Sequence, residues 1–147
     1  MTVSASLEPH TSGTTGLHRW IPRLIFAAAT VHILVGVVAS GSHWRGIFSD
    51  GLWNTVANDD DTRMMTLWFM LAGIAFVGLG LLTRRTVILT SRIPAETGWI
   101  LLTLGIPMAL LEPISGGWAM IAIGVLALAL SRRDKTASGS SQAPTRA

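Results

Sequence analysis

Two ionisable side chains lie within or at the edge of strongly apolar stretches of this sequence, His32 and Glu112. An ionisable group in such a setting is costly enough to mark a binding or proton-handling role. His32 shares a stripe of small residues with Ala28, Gly36 and Ser40, each four positions from the next. An imidazole there could ligate haem iron, relay a proton or anchor a quinone-like head group. It could equally be a neutral ring bonded to a backbone carbonyl or a hydroxyl of a neighbouring helix. A haem held between helices usually takes two axial ligands, whereas His10, His18 and His43 all fall outside the apolar runs. Glu112 continues the small-residue face of Gly98, Gly105 and Ala109 and precedes Pro113. It reads either as an interfacial carboxylate at a turn or as a partner of His32. At 1.5 Å per helical residue the two differ in depth by roughly 9 Å, so a bridging water or a polar ligand would have to link them.

Ser115 and Trp118, just after Glu112, complete the set of candidate ligand-binding or polar-interior residues: His32, Glu112, Ser115 and Trp118. Ser115 has no histidine near it in sequence, and turn chemistry accounts for it. There is no hydrolase motif, glycine-rich phosphate loop or histidine–carboxylate metal cluster. With no cysteine in the chain, thiolate nucleophiles, thiolate metal sites and disulfides are excluded. No catalytic residue, metal or cofactor is therefore assigned, and quinone and haem stand only as alternatives.

The elements that must position these residues follow from composition. Of 147 residues, 50% are hydrophobic and only 13% charged. A soluble domain carries about 25% charged residues. The apolar excess must face something other than water, and lipid is the simplest candidate. Four runs are long enough for helices that cross a bilayer: about 21–40, 64–82, 95–111 and 114–130. Pro107 should kink the third, and Glu112 to Gly116 make a tight turn into the fourth. The expected fold is all-α, a four-helix transmembrane bundle. Residues 1–17 and 134–147, rich in Ser, Thr, Gly and Ala, read as disordered tails around a membrane domain at 18–133.

Lys and Arg counts orient the spans. Arg19, Arg23, Arg84, Arg85, Arg92, Arg132, Arg133, Lys135 and Arg146 fall on one side, and only Arg45 and Arg63 on the other. Both termini are thereby expected in the cytoplasm, with the chain in the plasma membrane. Trp20 and Trp99 fall at inner span ends, Trp68 and Trp118 near outer ends, matching interfacial belts. The net charge of +3 is spread over these flanks, so no nucleic-acid partner is expected. A cleaved leader ending near Val37-Val38-Ala39 would leave three spans and lose the charge segregation. Its apolar run is also longer than usual for such a leader.

In the first outer loop, Trp44, Ile47, Phe48, Leu52 and Val56 recur at three- and four-residue spacing, predicting a short amphipathic interfacial segment. Asp50-Gly51 interrupts it, and Asp59 to Asp61 are placed to cap the second span. Each span also owns a seam of small residues: the His32 stripe, Gly73 with Gly80, Gly98 with Gly105, and Gly117 with Gly124. Such seams let helices approach closely in lipid, and they predict four helices packed around a shared axis with no wide pore.

Several of these features together resemble a domain-of-unknown-function family of small bacterial four-helix membrane proteins. They are Val31-His32 with Gly36, Gly51-Leu52-Trp53-Asn54, Arg63 ahead of Leu67-Trp68-Phe69 and Gly73, Pro94 ahead of Gly98-Trp99, and Pro113-Ile114-Ser115-Gly116-Gly117-Trp118. The resemblance covers about residues 20 to 130 and implies a membrane location and an architecture, without an activity. More distantly the layout is similar to DoxX-like proteins, some of them linked to quinone chemistry. The expected function is a non-enzymatic module that binds a membrane protein partner, a second copy or a lipophilic ligand. The alternatives are an accessory subunit of a quinone-linked redox system and a small proton-linked transporter.

Overall fold

A computed structural model describes residues 15–51, 56 and 61–140. The described residues form six helical segments and no strand. They are α1 (Thr15–His18), α2 (Trp20–Ala39), α3 (Gly41–Ser49), α4 (Asp61–Thr90), α5 (Ala95–Leu111) and α6 (Gly117–Ser140). Pro22 is accommodated in the first turn of α2, where no intrahelical donor is needed. Asp61 opens α4 and complements its dipole. The helix then runs well past the apolar stretch, through Arg84 and Arg85, where no glycine or proline falls between Leu82 and Ser91. It stops at Ser91, which takes a left-handed φ of 54°. That conformation ends helices, and glycine adopts it with least strain.

Two helices, Gly16–Ala39 and Asp61–Thr90, are long and apolar enough to cross a membrane. α5 is apolar but has 17 residues. In α6 the apolar part ends at Leu130, ahead of Arg132, Arg133 and Asp134. The helix itself continues through residues 134–140, which composition assigned to a tail. At its other end α6 starts at Gly117, so Ile114 belongs to the preceding turn and is 100% exposed.

The helices pack as two antiparallel pairs. In α2–α4, a Cβ on Gly36 would meet the Met70 sulfur at 2.8 Å and the Phe69 ring at 2.9 Å. Further along, Gly73 lies against Ile33 and His32, and Gly80 against Phe26. In α5–α6 the glycines oppose one another: Gly98 faces the Gly124 carbonyl and Gly105 the Gly117 carbonyl. The seams are therefore used up two by two, and not around one shared axis as their presence in all four spans suggested. Close approach within a pair is a local fit between two helices, so it places no limit on the space between pairs.

One end of the molecule is closed. Ile21 and Ile25 of α2, Val87 of α4, Leu101 of α5, and Ala127 and Leu130 of α6 form its buried core. The Thr83 and Thr97 hydroxyls bond each other at 3.0 Å and join α4 to α5. His18 Nε2 donates to both oxygens of Asp134 at 3.0 and 3.1 Å. Asp134 also accepts from the backbone N–H of Ile93 at 3.5 Å. One carboxylate thus holds α1, the approach to α5 and the end of α6 together.

At the opposite end, α3 is shorter than the amphipathic spacing predicted. It ends at Asp50 and Gly51, whose φ of +87° suits glycine. Ile47 is buried, Trp44 half-buried and Phe48 exposed. Asp50 pairs with Arg63 of α4 at 2.9 Å and fixes this end of α3. Leu52, Trp53, Asn54, Asp59, Asp60 and residues 1–14 and 141–147 lie outside the described residues.

Candidate functional site

His32 is set by α4. A histidine ring needs a flat neighbour and room beside a backbone, and the Phe69, Gly73, Phe76 spacing supplies both on one helix face. The imidazole stacks on Phe69 with ring centroids 3.8 Å apart and an interplanar angle of 11°. Phe76 meets it edge-on at 5.7 Å. The imidazole Cδ2 would lie 3.2 Å from a Cβ on Gly73, so only a bare backbone leaves the ring its place. Nε2 donates to the Phe69 carbonyl at 2.9 Å. A carbonyl can only accept, which puts the proton of the neutral ring on Nε2 and leaves Nδ1 as an acceptor. The Cδ2–Nε2 edge is turned to α4, and Nδ1 lies on the other edge.

The α5–α6 turn is locked by its own side chains. Ser115 N–H donates to the Glu112 carbonyl at 2.9 Å, closing a turn with Pro113 at its second position. Ser115 Oγ donates to the Met108 carbonyl at 3.4 Å and accepts from the Gly117 N–H at 3.3 Å. Trp118 Nε1 donates to the Pro113 carbonyl at 3.0 Å. These contacts give the Pro-x-Ser-Gly-x-Trp run a physical role: each polar side chain in it satisfies a backbone group that the turn would leave open.

Between the two helix pairs, toward this turn, lies a cavity of about 590 Å³. Leu24, Ala28, Val31, Met108, Met120 and Ile123 make most of its apolar wall, and Phe76 closes one side. His32, Glu112 and Ser115 supply its polar groups. Of the four candidates the sequence singled out, three thus line one cavity. Trp118 does not line it: its ring is exposed and its indole nitrogen serves the turn. Glu112 is exposed at the rim, and no side chain among the described residues is paired with it. A volume of roughly 300–1,000 Å³, apolar walls and a few convergent polar groups are the ordinary features of a small-molecule site.

Two features of the site were not anticipated. The aromatic cradle of His32 was legible in principle, since Phe69, Gly73 and Phe76 follow helical spacing. The His18–Asp134 pair was not, because its members are separated by 116 positions and each stands in a segment that reads as flank or tail. It ties α1 and α6 together at the end of the molecule away from the α5–α6 turn.

The fold and cavity define the class as an all-helical protein with two helices long and apolar enough to span a membrane and a cavity between helix pairs. The chain belongs to a family of unknown function, DUF6463, whose sequence model matches residues 16–134. No curated protein and no solved structure matches it. The match bears out the resemblance to a domain-of-unknown-function family over nearly the same stretch of chain.

Proposed function

We propose that the chain is a multi-pass membrane protein that binds a lipophilic ligand between its two helix pairs and catalyses no reaction. Four spans, in α2, α4, α5 and α6, put both termini on the cytoplasmic side. Apolar surface supports the membrane part. In the most apolar stretch of α4 only 17% of residues are buried within the protein, unlike the core helix of a soluble fold. Val38, Leu82, Leu89, Leu110 and Leu111 are among the large exposed side chains that lipid would cover. Trp20, Trp68, Trp99 and Trp118 are all exposed, as interfacial rings must be. The closed end carries Arg84, Arg85, Arg92, Arg132 and Arg133, which makes it the cytoplasmic end by charge. The cavity then opens toward the outer leaflet.

The observation that carries the ligand reading is the convergence of His32 and Glu112 on one apolar cavity of about 590 Å³. Gentle detergent extraction from native membranes, followed by mass spectrometry of what co-purifies, tests it. A lipophile bound to the wild-type chain and absent from Ala119→Trp, which fills the cavity from α6, is the expected result. A chain that carries no lipophile and co-purifies with a protein partner would overturn it. The same sample separates the quinone-linked alternative, which requires a bound quinone or a visible absorption band. A periplasm-active reporter fused at the C-terminus should be silent, and its activity would refute the topology.

A further inference from the structure

The hydrogen-bonding character of the cavity restricts its ligand further, taking the cavity as a binding site. Among the described residues, the side-chain donors that line it are already engaged. His32 Nε2 donates to the Phe69 carbonyl at 2.9 Å, and Ser115 Oγ donates to the Met108 carbonyl at 3.4 Å. Trp118, beside the turn, gives its Nε1 proton to the Pro113 carbonyl at 3.0 Å. The side-chain groups that remain are acceptors: Nδ1 of the His32 ring, whose Nε2 carries the donated proton, and the Glu112 carboxylate. Among the described residues no basic side chain is paired with the carboxylate, and Arg63 at this end of the molecule is paired with Asp50 at 2.9 Å.

We infer that the cavity selects an amphiphilic amine: an apolar body along the helix walls, a protonated amine at Glu112, and any further hydroxyl or N–H met by His32 Nδ1. A polar end that only accepts, such as a quinone carbonyl, finds no free side-chain donor there. An alkyl alcohol can also donate to the carboxylate but brings no opposite charge, so it forfeits the ion pair that an ammonium makes there.

Three probes with matched chains separate these cases: dodecylamine, dodecanol and a dodecyl-substituted benzoquinone. They are titrated calorimetrically into the full-length chain in lipid nanodiscs, with empty nanodiscs subtracted. Dodecylamine is expected to bind at least tenfold more tightly than either of the others, the scale of one charge-assisted hydrogen bond. Glu112→Gln should remove about that factor for dodecylamine and so erase most of its advantage over dodecanol, while Glu112→Asp should keep most of it. A quinone that binds as tightly as the amine, or an amine affinity untouched in Glu112→Gln, overturns the inference. The ranking of the three probes on the wild-type chain needs no variant, so misfolding of Glu112→Gln would not spare the idea. Equal binding of all three would sink the donor requirement and keep the cavity as a lipophile site; binding of none would sink both.

Discussion

The α2–α4 and α5–α6 pairs are both antiparallel and both lined with glycine, yet they use it differently. In α5–α6 every seam glycine meets backbone of the facing helix, with leucine side chains beside it at Gly98 and Gly124. A Cβ on Gly117 would lie 2.7 Å from the Ala109 nitrogen and 2.9 Å from the Gly105 carbonyl oxygen. In α2–α4 glycine meets side chains: Phe69 and Met70 over Gly36, Ile33 and His32 over Gly73, Phe26 over Gly80. The first arrangement makes a stiff hairpin with the chain reversed by a locked turn. The second makes niches, and one of them holds the imidazole on which the site depends. A seam of small residues therefore has two uses, bringing backbones together or giving a large side chain a floor. Which one applies depends on what the opposite helix presents.

Four substitutions would break or sharpen that contrast. The largest effect belongs to Gly117→Ala, because backbone atoms cannot step aside. A loss of about 3 kcal/mol is expected, the upper end of overpacking costs, read as a fall in thermal midpoint in detergent. A midpoint unchanged from wild type would mean that the two backbones are not in contact. Next comes His18→Ala, which removes the bond between α1 and Asp134 at the closed end. About 2 kcal/mol should be lost, as for a buried hydrogen bond to a charged group, and proteolysis near residue 18 should speed up. Were the pairs held mainly by their apolar contacts, neither measure would move.

Gly73→Ala should cost only about 1 kcal/mol. Its Cβ would come within 2.7 Å of Ile33 Cγ1 and 3.2 Å of His32 Cδ2, and both are side-chain atoms that can shift. The shift should nonetheless disturb the site, so lipophile binding should fall more than stability does. A loss as large as that at Gly117 would erase the distinction between the two pairs. The smallest effect is expected at Gly78, where a Cβ meets nothing within 4 Å. Gly78→Ala should stabilise the chain by about 0.5–1 kcal/mol through helix propensity alone. Destabilisation there would reveal a neighbour, such as a second copy, packed on that face.

Much of the site was legible before the helices were folded together. His32 stands out by being ionisable in an apolar run, and Glu112 by ending one. The glycine periods identified the packing face of each helix, and Pro113 to Trp118 announced a turn. Trp118 differs from the other three candidates: its indole serves its own turn, and sequence cannot say whether such a ring faces inward. Of the interfacial segment, α3 ends at Ser49 and the backbone at Gly51 turns left-handed, while Leu52 lies outside the described residues.

The apolar runs, seams and span-flanking charges are properties of each segment alone, set by periodicity and residue type, and the sequence by itself determined them. The pairing of seams, the space left between the pairs, the direction of the His32 Nε2–H and the His18–Asp134 closure were decided only in three dimensions. Each depends on whether atoms from distant segments fit within a few tenths of an ångström. Periodicity in a single helix carries no information about the partner it will meet.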